Sequence, residues 1–333
     1  MATTTGRSSR RAPGVGARPE APGGPGARTT RELLTRPDRR RHAVDRTMRV
    51  VVAGAFALAM VPLVSLVWIV VAEGAERLSP YFLAVSMRGV FGGMDAGGIH
   101  HAIVGTLLVT GAAAAISVPI GIMTAVYLVE YGRGALARWV TFFVDVMTGI
   151  PSIVAGLFAY ALFALLLGPG VRMGVVGAVA LSVLMVPVVV RSTEEMLRLV
   201  PNELREASLA LGVPKWRTIV KVVLRTAAGG IVTGVMLAVA RVIGETAPLL
   251  ITLGVVDSIN YDLFDGRMMT LPVYIFRQYS QGLVPCREDQ VDCIATVNFD
   301  RAWAAALVLV VIVLLLNLVA RLVARRFAPA AGH

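Results

Sequence analysis

Apolar residues gather in six stretches, about 49–72, 102–129, 139–167, 173–190, 229–253 and 302–324. Each is close to or above the roughly 20 residues that a helix needs to cross a bilayer. The first is too long, and begins too far along the chain, to be a cleaved secretory signal. The pattern therefore predicts an all-α membrane protein with six transmembrane helices over residues 47–327, and it excludes a soluble enzyme. Ahead of it, residues 1–46 are rich in Gly, Pro, Arg and Ala with no apolar period. Such a stretch buries too little surface to fold, so a disordered cytoplasmic tail is expected.

The polar intervals differ in kind. Residues 130–138 and Gly168-Pro169-Gly170 are short turns. The 191–228 interval is long and patterned. Asn202 is placed to cap a short helix, with Glu203 and Glu206 in its first turn, where the helix dipole favours acid. Leu204, Ala207 and Leu211 fall on one face, and Glu203, Arg205 and Glu206 turn away from it. Gly212 supplies a C-terminal stop, and a second helix starts at Pro214 and leads into the fifth run. The small face around Ala207 and Ser208 suits a protein groove better than lipid. In the 254–301 loop, Cys286 and Cys293 are spaced for a small disulfide-closed loop, and two free thiols fit the sequence equally well.

The chain of 333 residues is 56% hydrophobic and carries a formal net charge of +11. Its mean hydropathy is +0.73. Twenty-four of the 32 Lys and Arg lie before the first run, in 130–138, in 191–228 or at the end of the chain, against seven in the alternate intervals. This is the positive-inside asymmetry, and it predicts that both termini are cytoplasmic. The basic charge is thus accounted for by topology, and nucleic acid is not expected as a partner.

One cation belongs to neither group. Arg241 stands inside the fifth run, with Glu245 four residues later. A charge at the bilayer centre costs about 2.5–3.5 kcal/mol on insertion scales, so such residues face a bundle interior or an aqueous path. On a continuous helix the two share a face. Arg191 and Glu194, at the end of the fourth run, are spaced i, i+3. Two accounts fit these charges. Either they line a path for an anion, with carboxylates moderating the hold of each guanidinium, or Arg191 is a span-end anchor and Arg241–Glu245 a pair that locks helices together.

Glu206-Ala207-Ser208, followed after three residues by Gly212, resembles the EAA loop of bacterial binding-protein-dependent ABC importer permeases. "GIPSIVAGLFAY", "REASLALGVPKWRTIVKVVL" and "GETAPLL" narrow the resemblance to the phosphate-transport permeases of the PstA family, over about residues 100–280. The family pattern continues past the Gly with I-x-L-P, where this chain has Val222-Val223-Leu224-Arg225. The resemblance implies a type I (MetI-like) importer fold in the bacterial inner membrane and inward transport of inorganic phosphate. It implies a coupling helix docked on an ATPase through Glu206, Ala207, Ser208 and Gly212. It also implies pathway charges at Arg191, Glu194 and Arg241, to which the spacing argument adds Glu245. The partners it implies are a second permease (PstC), an ATPase dimer (PstB) and an external phosphate-binding protein (PstS).

No catalytic motif stands out. Lys215 and Lys221 follow Pro214 and Val220, so there is no Gly-Lys-Ser/Thr phosphate loop, and ATP is expected on a partner. His42, His100, His101 and His333 lack ligand spacing with Cys or acidic residues, and no metal or other cofactor is expected. The rivals are a permease for another oxyanion (molybdate, sulfate or phosphonate), an ion-coupled secondary transporter and a membrane sensor. The second would favour more spans in inverted repeats, and the third gives no reason for the EAA-type loop.

Overall fold

A computed structural model describes residues 39–286 and 293–327. Most of the expected tail therefore lies outside the described residues, but its last part is helical: α1 runs Arg39–Arg77. The chain divides into two units after Leu63. The second holds α2 (Pro80–Ala84), α3 (His100–Val126), α4 (Gly134–Thr148), α5 (Ser152–Leu167), α6 (Gly174–Arg198), α7 (Asn202–Ala210), α8 (Lys215–Thr218), α9 (Leu224–Val242), α10 (Ala247–Thr252), α11 (Leu271–Gln281) and α12 (Val297–Phe327). Two π-helical turns, Tyr127–Tyr131 and Ile219–Val223, extend α3 and join α8 to α9. Among the described residues, five helices are long and apolar enough to cross a membrane, or six if α4 and α5 count as one span.

α6 is the central post. Ala178, Leu181, Met185, Val189, Val190 and Leu197 along it are fully buried, and α3, α9, α5 and α4 pack around it. Small residues set the spacing, as expected where lipid gives no hydrophobic drive for helices to associate. Gly121 of α3 faces Val189, while Gly234 and Gly230 of α9 face Ser192 and Met196. α9 also packs on α12, which in turn carries α11.

Two of the predicted spans are not single helices. The third bends by 110° between α4 and α5, at Gly149-Ile150-Pro151. Pro151 has no N–H to donate and disfavours a helical conformation in the residue before it. The fifth continues the helix expected from Pro214, running from Lys215, but stops at Val242. Pro248 explains the stop: it is compatible with the first turn of α10 but not with the interior of a longer helix. α10 then wedges between α5 and α6, with Gly156 against Pro248 and Gly177 against Leu253 and Leu249.

Candidate functional site

The pathway residues expected from the sequence do not form two equivalent pairs. Arg191 and Glu194 are joined as expected, Arg191 Nη1 donating to Glu194 Oε2 at 2.8 Å. Two residues that the pattern of runs did not single out complete the group. Asp145 of α4 accepts from Arg191 Nη2, and Arg198 donates to Glu194 Oε1 at 2.5 Å. The result is a chain of alternating charges, Asp145–Arg191–Glu194–Arg198, spanning α4 and the last turns of α6. Glu194 is 8% exposed and held from both sides, so it is the fixed member. Asp145 is 59% exposed and comes from another element, so it is the exchangeable one. A buried charge is tolerated only when paired and hydrogen-bonded, which Glu194 is twice over. Asp145 was legible as a lone acid inside an apolar run, the same signal that drew notice to Arg241.

Arg241 and Glu245 require a correction. They do not share a helical face, because α9 ends at Val242 and Glu245 lies in the following turn, its N–H donating to Val242 O at 3.1 Å. Arg241 is exposed and has no hydrogen-bond or ion-pair partner among the described residues. The expected neutralising pair is therefore absent. A cation in the last turn is instead favoured by the helix dipole.

On the same end of the bundle as Arg198, α7 presents the expected coupling residues. Glu206, Ala207, Leu204 and Leu211 are exposed, Leu211 at 83%. Gly212 follows the helix with φ +76°, the left-handed conformation that glycine adopts without strain. Three expectations fail here. The cap is Pro201, not Asn202, whose side chain accepts from Arg205 instead. Ser208 is buried rather than on the docking face, its hydroxyl 2.9 Å from that of Thr218. Arg205, expected to turn outward, reaches inward to Glu130 Oε1 at 3.1 Å.

At the opposite end Cys286 and Cys293 are bonded, with Cα atoms 5.7 Å apart. Cys293 bridges to Met94. Arg301, 2% exposed, donates to the carbonyls of Met94 and Ala96 at 2.7 and 2.9 Å and pins the same loop. Nearby, burial pushes the Tyr274 phenol up to about 12, so it stays protonated. Among the described residues, no group of His, Cys, Asp and Glu is arranged to hold a metal ion.

The charged layer, α7, α9 and α12 all fall within residues 117–333, which match the family model of the binding-protein-dependent transport system inner membrane component. The chain belongs to that family. It is a multi-pass membrane protein and a permease subunit of the ABC-importer type. Phosphate transport system permease protein PstA 1 of Mycobacterium tuberculosis (strain CDC 1551 / Oshkosh) is 48% identical over 271 residues, covering 81% of this chain and 84% of that protein. The PstA protein of Mycobacterium leprae (strain TN) is also 48% identical, over 79% of this chain and 83% of its own length. That of Pasteurella multocida (strain Pm70) is 38% identical, over 77% and 87%. In fold, the chain is similar to a permease in the bacterial alginate ABC transporter complexed with its pentasaccharide-bound periplasmic protein. The TM-score is 0.59 at 14% identity, covering 86% of this chain and 96% of that one. The inward-facing MetNI methionine ABC transporter gives 0.52 at 20% identity, covering 76% and 100%.

Proposed function

We propose that this chain is the membrane permease subunit of an ATP-driven importer of inorganic phosphate. It pairs with a second permease of the PstC type, and α7 seats in a PstB-type ATPase dimer that binds the ATP. The opposite face receives a PstS-type phosphate-binding protein. Both termini lie in the cytoplasm, with the disulfide-bearing loop outside, in keeping with the Lys and Arg asymmetry. The observation that carries the proposal is the pairing of an anchored but outward-facing α7 with a guanidinium-rich layer on the helix just before it. Phosphate as the anion is supported by the names of the relatives and by the forked donors of Arg191.

On this reading Arg191 and Arg241 offer donors to the anion in turn. Asp145, the exposed acid on Arg191, gives way as the anion arrives and returns as it leaves, which keeps binding weak enough for passage. The test is the purified complex in lipid vesicles. Its ATP hydrolysis should rise when phosphate-loaded binding protein is added, and labelled phosphate should accumulate. Equal or stronger stimulation by a binding protein loaded with molybdate, sulfate or a phosphonate, but not phosphate, would reassign the substrate. Anion uptake without any ATPase subunit would remove the importer reading.

A further inference from the structure

A guanidinium has five N–H donors in a planar fork, and Arg205 spreads its own over three parts of the chain. Nε donates to Glu130 Oε1 on the π-helical turn that ends α3. Nη2 donates to Leu197 O at 2.8 Å and Nη1 to Val200 O at 2.6 Å, at the C-terminal end of α6. Nη1 also reaches Asn202 Oδ1 at 3.1 Å, at the start of its own helix. Carbonyls at the end of a helix lack partners within it, and a cation there is favoured by the dipole. Glu130 is 8% exposed and Arg205 17%, so the pair is largely shielded from screening by solvent. Close by, Lys215 donates to Glu130 O and sits over the Tyr131 ring, 4.6 Å from its centre. On its other side α7 is tied to the fifth span by Ser208 and Thr218.

We infer that Arg205 is the joint through which movement of α7 reaches α3 and α6 together, a positioning role that rests on the proposed seating of α7 in an ATPase. Apart from Arg205, the described bonds hold α7 through the Ser208–Thr218 contact and two short connectors. With Arg205 in place, a displaced α7 pulls the last turn of α6. The residue after Leu197 is Arg198, which holds Glu194, which holds Arg191, which meets Asp145. A contiguous set of polar contacts therefore runs from the ATPase-facing helix to the charged layer. Arg205 contacts neither ATP nor anion and acts only through these neighbours. Proof of coupling requires a measured effect at both ends.

The decisive variants are Arg205→Lys and Glu130→Gln in the complete complex with its ATPase and binding protein, reconstituted in vesicles. Lysine keeps the charge beside Glu130 but cannot hold the α6 carbonyls at the same time. In Arg205→Lys we expect the ATP hydrolysed per phosphate imported to rise about tenfold, the scale of losing one or two charge-assisted hydrogen bonds, with all subunits still co-purifying. Glu130→Gln should shift the ratio in the same direction by a smaller factor. A native ratio in Arg205→Lys would overturn the inference, and so would loss of the ATPase from the complex, which would make Arg205 a folding or docking residue. A second measurement does not depend on the substrate. Spin labels at Arg133 and Ala210 should give a narrow distance distribution in the otherwise native complex and a broad one in Arg205→Lys. If phosphate fails to stimulate the native complex, the functional proposal falls while the label distances still decide the joint; unchanged distances in Arg205→Lys reject the joint alone.

Discussion

Asp145 and Arg191, 46 residues apart in the chain, meet where α4 crosses α6. Arg191 is thereby shared between a buried carboxylate on its own helix and an exposed one on another element. Asp145→Asn keeps the shape but removes the exchangeable charge. Uptake of labelled phosphate should fall several-fold while the complex assembles, and Arg191→Gln should abolish uptake. If these residues only lock helices, the double neutral variant would recover both assembly and transport, so near-native uptake in that variant rejects the pathway role.

Arg241 gives a cleaner separation, because its exposed side chain has no hydrogen-bond or ion-pair partner among the described residues. Arg241→Gln should leave thermal stability within about 0.5 kcal/mol of the parent, as for an exposed substitution, and should eliminate phosphate uptake. Glu245→Gln should change uptake little, since Glu245 does not hold Arg241. A collapse in the Glu245 variant matching that in the Arg241 variant would restore the pair that the break in the helix removes.

Coupling should be sensitive to the end of α7. With Gly212 at φ +76°, Gly212→Pro is incompatible with the backbone, and Gly212→Ala costs about 1 kcal/mol. Gly212→Pro and Glu206→Lys should uncouple ATP hydrolysis from uptake, read as hydrolysis that no longer responds to loaded binding protein. Native uptake in both would remove α7 from the coupling role.

Topology can be read with a membrane-impermeant thiol reagent. Cys286 and Cys293 should label from outside after reduction and not before. A cysteine at Leu211, on the exposed face, should stay protected in intact cells and react once they are opened. Ser208 is a poor reporter because it is buried against Thr218. Labelling of Leu211→Cys from outside would invert the orientation.

A close approach of backbone to backbone in the bundle core is also testable. A Cβ at Gly156 would lie 2.6 Å from Pro248 Cα, against backbone that cannot yield. Gly156→Val should lower the yield of assembled complex, at a cost of about 1–3 kcal/mol for overpacking. Native yield and melting temperature would show that α10 is free to shift away from α5.

The spans were legible because twenty apolar residues in a row have few other fates, and Gly212 was legible because a positive φ selects for glycine. The break after Val242 was also written in the chain. Pro248 forbids a continuous helix through it, but residues 229–253 are largely apolar apart from Arg241 and Glu245, and that run outweighed the single imino acid. Arg205 could not be read. Its direction depends on where Glu130 and the carbonyls of α6 arrive in space, 75 residues away in the case of Glu130. Helical spacing places a side chain on a face but is silent on which face the rest of the protein covers. The same limit hid the burial of Ser208.

The elbow between α4 and α5 has a consequence for the surrounding medium. Neither half, at 15 and 16 residues, is long enough to cross about 30 Å of hydrocarbon alone. The elbow turns one helical turn past Asp145, level with the charged layer. Gly149 and Ile150 donate back to Val146 and Met147, and Thr148 to Val144. At the start of the next helix Pro151 O accepts from Val154 and Ala155, but non-helical backbone in a membrane persists only beside other protein or beside water. The elbow must therefore be met by other protein or by water rather than by lipid, at the level where Asp145 meets Arg191.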